Sequence, residues 1–386
     1  MASHNHHSIS PIVYYSPDAV VADEQTLDDQ RSDIDAQVAT DDQLEALLQI
    51  ERTYCVQQVQ CRNPSASHPP HDEWRRKITE WSYRVVDHFR IDREVVLVAM
   101  NYFDRFLALH STSSANHTCQ CPACQRAVDS RTFQLAAMTC LYLAIKLHAE
   151  SLENTDGRTF RGRKIKISSF VDLSRGQFTA EDLASMERII LATLQWKVNP
   201  PTSSLLVTYL LRLMPSQVAY PTSLHYDLVL HVLKELARYL SELSVCTTNL
   251  SISYLPSEVA YAAIMVSMDL LNLQALPLDV QHSFCSSVAA MSGMDLRDDK
   301  IRCLMDHLRQ CFWPEMLVEE EDMDCDHPIA MAKAAGLLDI SHLTGPTKQQ
   351  VLRNNSATSV MQVEAATAVT GTVMLHDSQA TYVVTP

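Results

Sequence analysis

Along the middle of the chain, apolar residues recur at steps of three and four, the spacing that lines up side chains on one face of an α-helix. From Trp74 to Phe89 the stripe is Ile78, Trp81, Val85 and Phe89, which predicts one helix facing a core. Asp92 is placed to cap a second helix, with Val95, Val96, Ala99, Met100, Phe103, Phe106 and Leu107 on its buried face. Ser130 is the candidate cap of a third, where Leu135, Met138, Thr139, Tyr142 and Ile145 alternate with Ala136, Ala137 and Ala144. Such small residues let neighbouring helices approach closely, so this helix suits the centre of a bundle. Ile167 to Leu173 gives a short fourth, and Thr179 with Asp182 three residues on predicts a capping box for a fifth that ends near Trp196.

Asn199-Pro200-Pro201 breaks the pattern, because proline lacks the N–H a helix needs and restricts the residue before it. Five further stretches follow: Thr202 to Met214, Ser223 to Leu243, Pro256 to Leu273, Leu278 to Met291 and Asp295 to Phe312. The third, PSEVAYAAIMVSMDLL, repeats the Ala-rich character of FQLAAMTCLYLAIK. A five-helix unit therefore occurs twice, and the expected fold is all-α with disordered tails. Residues 1–41 read as an acidic tail, 42–199 as the first unit with a leading helix, 200–313 as the second, and 314–386 as an acidic linker and Ser/Thr-rich tail.

Composition narrows the function. At 386 residues and 46% hydrophobic the chain can fill two cores, and its 7 glycines are too few for an all-β protein or a dinucleotide loop. A formal net charge of -15 repels nucleic acid and anionic membrane, which leaves a protein partner. No run of 18 apolar residues and no secretory start are present, so an intracellular protein is expected. The 11 cysteines are spread along the chain, some on apolar helix faces, as reduced thiols are.

WRRKITEWSYRVVDHFRIDREVVLVAMNYFDRFLALHS, FQLAAMTCLYLAIKLHAES and DLASMERIILATLQWKVNPPTSSLL, in that order, resemble the cyclin box, and SYLPSEVAYAAI is similar to its counterpart in a second cyclin fold. The resemblance spans roughly residues 42 to 312 and implies two tandem five-helix cyclin folds. It implies a regulatory subunit, not an enzyme and without a cofactor, that binds and activates a cyclin-dependent protein kinase to control cell-cycle progression. A nuclear and cytoplasmic location goes with it. Arg75, Asp104 and Leu135 match structural signature positions, the first two as a buried pair between the first two helices. Lys146 and Glu187 match the face that grips the kinase's mobile helix, with Leu147, Leu191 and Trp196 as apolar neighbours. The alternative is a cyclin-fold scaffold or transcription regulator that activates no kinase.

Four departures stand out. The run after Lys146 is Leu147-His148-Ala149-Glu150, with its acid displaced toward the C-terminus. Trp74, Ile78, Trp81 and Gln134 preserve much of a docking patch for Arg-x-Leu motifs of kinase substrates or inhibitors, yet Lys77 and Arg84 add positive charge where such a motif brings its own. The expectation is weak docking or a preference for less basic motifs. An insertion carries His117, Cys119, Cys121 and Cys124; a zinc clip and an incidental exposed loop both account for those letters. A second insertion, Arg158 to Lys166, is basic and reads as an import signal or a solvated loop.

Overall fold

The computed structural model describes residues 41–55, 69–115, 130–148, 165–215, 226–311, 328–338, 373–377 and 380–384. The first helical unit comprises α2 (Pro69–Phe89), α3 (Glu94–Ala115), α4 (Ser130–His148), α5 (Ile167–Leu173) and α6 (Ala180–Thr193), preceded by α1 over residues 41–51. The second comprises α7 (Ser203–Leu211), α8 (Tyr226–Ser244), a short α9 (Thr248–Ser253), α10 (Pro256–Met268), α11 (Leu278–Ser292) and α12 (Asp299–Cys311). Outside these, α13 spans Pro328–Ala334, and a hairpin pairs Val373–Asp377 with Ala380–Val384.

The Ala-rich helices occupy the centres. Ala136, Ala137 and Ala144 of α4 are buried, and α4 packs between α3 and α6. In the second unit every side chain from Val259 to Met268 of α10 is buried, against α7, α8 and α12. Where the helices begin follows local chemistry. Asp92 Oδ1 accepts from Glu94 N at 2.7 Å, and Thr179 and Asp182 exchange bonds as a reciprocal box. Ser130 differs from expectation: it is the first residue of α4, and its buried hydroxyl finds no partner, so it is not the cap. The six-residue α9 was not expected because so short a piece shows no periodicity.

Two elements extend the second unit beyond its sequence boundaries. Leu44 of α1, grouped with the first unit by chain order, is fully buried in the second core, with Leu47 and Leu48 beside it. Glu51 explains the attachment: its carboxylate accepts from Ser257 N at 2.9 Å and Ser257 Oγ at 2.6 Å, at the positive N-terminal end of α10. At the other end, Ala332 and Leu337 enter the same core, and Leu337 O accepts from Asn272 N at 2.9 Å. Part of the segment expected to be tail is thus packed structure. A short apolar pair inside a polar stretch carries too little pattern to be read as a helix.

The units are joined by buried polar groups. Arg75 pairs with Asp104 through both terminal guanidinium nitrogens, Nη2 to Oδ2 at 3.0 Å, and its Nε donates to Val245 O at 3.0 Å. Ser251 Oγ donates to Asp104 Oδ2 at 2.8 Å. The expected pair between α2 and α3 therefore also reaches the second unit. Nearby, Arg93 bridges Asp87 and the buried Glu242, 2.7 Å from Glu242 Oε2, and Tyr83 Oη donates to Glu242 O at 3.2 Å. Burial pushes the Glu242 carboxyl up, and the Arg93 charge opposes that.

Asp104→Ala strands the Arg75 charge, 3% exposed, and should lower unfolding free energy by about 3–5 kcal/mol in urea titrations, whereas Arg75→Met/Asp104→Leu should lose clearly less.

Candidate partner-binding site

Residues Lys146, Leu147 and His148 close α4 where it lies against α6. The buried stripe of α6 is Leu183, Met186, Ile190 and Leu191, and Glu187 sits on its rim. Lys146 Nζ donates to Glu187 Oε1 at 2.7 Å, with Lys146 51% exposed and Glu187 13%. The same ammonium stands 5.8 Å from the centre of the Tyr142 ring. The Glu187 hydrogen bond raises the Lys146 pKa, so the lysine is charged. With Lys146 half in solvent the pair adds roughly 0–1 kcal/mol to stability, which makes it a poor structural brace and leaves the ammonium for a partner.

Apolar surface flanks the pair. Leu147 and Trp196 are exposed, Trp196 by 71%. Leu191 is a correction: it is only 8% exposed and belongs to the first core, because it continues the α6 stripe instead of facing outward.

Trp196 sits in a turn of unusual backbone. Gln195 and Trp196 have φ of 53° and 59°, the left-handed region that costs a side-chain-bearing residue about 1–2 kcal/mol. Trp196 N donates to Leu191 O at 3.0 Å and Lys197 N to Leu194 O at 3.1 Å, closing the end of α6. Side chains from elsewhere hold the next carbonyls. Arg105 Nη1 donates to Lys197 O at 2.8 Å, and Tyr102 Oη donates to Val198 O. His148 Nε2 lies 3.0 Å from Val198 O and 2.9 Å from Tyr102 Oη. Burial lowers the His148 pKa against the opposing pull of the Val198 carbonyl. Sequence reasoning missed Tyr102, Arg105 and His148 as a group. The available signal was three polar side chains within apolar helices, two of them at i and i+3 of α3.

The docking-patch residues fall differently from expectation. Ile78 and Trp81 are 5% and 2% exposed and belong to the first core, and Gln134 is 2% exposed. Trp74 is half-buried, its ring edge-on to Phe133 with centres 5.5 Å apart where α2 meets α4. Trp81 Nε1 and both amide atoms of Gln134 are buried without partners. An orphaned buried polar atom costs about 1–3 kcal/mol, and because these atoms are covered, a peptide reaches them only if the α2/α4 seam opens. Lys77 is paired with Glu73 at 2.7 Å, and Arg84 lies near Glu80, whose carboxyl is raised by burial and pulled down by Arg76, Arg84 and Lys77. Leu135 is part-buried against the same core, its carbonyl accepting from Thr139 Oγ1 at 2.7 Å. His117, Cys119, Cys121, Cys124 and most of the basic insertion lie outside the described residues. Among the described residues no cluster of His, Cys, Asp or Glu could hold a metal, and no helix is long and apolar enough to cross a membrane.

Two family models match, Cyclin, N-terminal domain over residues 42–199 and Cyclin, C-terminal domain over 204–317. The chain belongs to the cyclin family. It is 25% identical over 198 residues to G2/mitotic-specific cyclin-A of Hydra viridissima, covering 51% of this chain and 38% of that protein. Cyclin-D3-3 of Arabidopsis thaliana is 28% identical over 199 residues, covering 50% and 44%. The chain thus spans less than half the length of these curated relatives. A solved viral cyclin from herpesvirus saimiri aligns with a TM-score of 0.40 at 15% identity, over 62% of this chain and 86% of that one.

The depressed His148 pKa means that the folded state prefers the neutral ring, so its contribution is complete above the unfolded value of about 6.5 and fades as pH falls below it. Thermal unfolding of the wild type should therefore lose ground to His148→Gln between about pH 7 and 5; parallel pH profiles would contradict this.

Proposed function

We propose that this chain is the regulatory subunit of a cyclin-dependent protein serine/threonine kinase, which it binds and activates to drive cell-cycle progression in nucleus and cytoplasm. The observation that carries the reading is the Lys146–Glu187 pair, closed at 2.7 Å on an open face beside Leu147 and Trp196. Its long polar side chains can hydrogen-bond the backbone of a docked helix and set its register, while the apolar pair supplies contact area. The chain contributes no chemistry of its own. By holding the kinase's mobile helix inward it favours the state in which the kinase's Lys–Glu pair and metal-binding Asp align for phosphoryl transfer. Moving such an equilibrium from 1:99 to 99:1 takes a differential affinity near 5.5 kcal/mol, within reach of a few buried anchors at about 2 kcal/mol each.

Lys146→Ala/Glu187→Ala should reduce stimulated kinase activity by at least about tenfold, with the fold intact by circular dichroism. Unchanged activity in that variant would sink the mechanism and favour a cyclin-fold scaffold or transcription regulator.

At the α2/α4 patch we propose docking of extended peptides less basic than Arg-x-Leu. The half-buried Trp74 would supply apolar contact, and Lys77 and Arg84 would oppose the peptide's arginine. In fluorescence-polarisation titrations a peptide with the arginine replaced by Gln should bind at least as tightly as the parent. Tighter binding of the basic peptide, lost in Trp81→Ala, would refute the preference.

A further inference from the structure

Gln195 N donates to Ala192 O and Trp196 N to Leu191 O, so the left-handed Gln195 closes α6, but the left-handed Trp196 one residue further on lies beyond what that closure needs. Strained backbone persists where the surroundings over-determine it, usually because the strain lets a side chain be buried or presented. Trp196 is 71% exposed, so here it is presented. Two elements hold the turn from outside: α3 with Tyr102 and Arg105, and the last residue of α4, His148. His148 also stands two residues from Lys146 and one from Leu147. Its ring to the Val198 carbonyl, 3.0 Å, therefore links the two halves of the exposed face, the α4 end and the Trp196 turn.

Building on the kinase-binding reading above, we infer that His148 is a positioning residue for kinase docking: with Tyr102 and Arg105 it fixes the turn that projects Trp196 at a set distance from Lys146 and Leu147. A free turn would relax out of the left-handed region and swing the indole, so its ordering would fall on the binding step. The clamp places that ordering in the unbound chain. Tyr102 and Arg105, three residues apart on α3, share the face that meets the turn, and the Arg105 guanidinium is itself seated 4.8 Å over the Tyr54 ring.

The test measures affinity of the full chain for purified cyclin-dependent kinase catalytic subunits, with hydrogen exchange at residues 194–198 of the unbound chain. His148→Phe keeps the bulk and loses the ring nitrogen, and should weaken binding about tenfold while His148→Gln, which can donate to Val198 O, stays within about twofold. Tyr102→Phe, a smaller change that does not depend on the fate of the first variant, should weaken binding in the same direction. The decisive arm is Trp196→Ala: in that background His148→Phe should cause no further loss, because a residue acting through Trp196 cannot add to its removal. A purely structural role predicts equal losses in both backgrounds, and that result overturns the inference. So does unchanged exchange at Trp196–Val198 in both His148→Phe and Tyr102→Phe. If Lys146→Ala/Glu187→Ala abolishes binding while Trp196→Ala leaves it intact, the kinase-site reading stands and this inference falls. If neither change affects binding, both fall.

Discussion

The fold turns on one buried ion pair. Arg75 and Asp104 are 3% and 5% exposed, so each charge is tolerable only in the presence of the other. The pair fixes how far α2 slides along α3, because a bidentate guanidinium–carboxylate contact accepts little displacement. It also fixes the second unit, since the remaining polar valences go to Val245 O in the α8–α9 turn and Ser251 Oγ in α9. A hydrophobic substitute could bind α2 to α3, but it could not satisfy that carbonyl and hydroxyl as well.

The stretch Asn101-Tyr102-Phe103-Asp104-Arg105-Phe106 then becomes intelligible as three tasks on one helix. Phe103 and Phe106, three apart, fill the first core. Asp104 turns toward α2 and the second unit, while Tyr102 and Arg105, again three apart, reach the end of α6. All five residues from Tyr102 to Phe106 are at most 7% exposed. No side of the helix is left over, which is why its sequence carries so much information.

That density also explains what could be read in advance. Helices long enough to repeat their large apolar residues at steps of three and four, such as α2 and α4, announce themselves by period, and Thr179 with Asp182 does so through its capping chemistry. Family resemblance could assign Lys146 and Glu187 to one face, but not their direct contact, because two charges 41 residues apart have no local signature. Features decided by tertiary packing stayed hidden. Leu44 and Leu47 mark an amphipathic α1 but not which core receives it; Glu51 meeting α10 decides that. Leu191 suits a surface contact by its place in the family pattern, whereas the α6 stripe carries it into the core; Trp81 belongs to both the α2 core stripe and the docking patch by sequence, and the core claims it. The left-handed Gln195 and Trp196 lack the glycine that ordinarily flags such backbone.

The exposed Trp196 sets a limit on how this face can work. Burying an indole removes 150–250 Å² from water, about 4–6 kcal/mol gross at 25 cal/mol per Å². Association alone consumes an estimated 4–15 kcal/mol, so one tryptophan cannot sustain a complex, still less shift a partner's conformation. In the proposed complex Lys146, Glu187, Leu147 and Trp196 would have to arrive together. Lys146 and Leu147 are carried by α4 and Trp196 by the turn after α6, and those elements can keep register only if something spans them. The Lys146–Glu187 bridge spans them from the solvent side, where it is weak, and the Tyr102, Arg105 and His148 contacts span them from within, where bonds to backbone carbonyls are shielded from water. An open pair suited to recognition thus sits above a buried set suited to holding shape, and neither could do the work of the other.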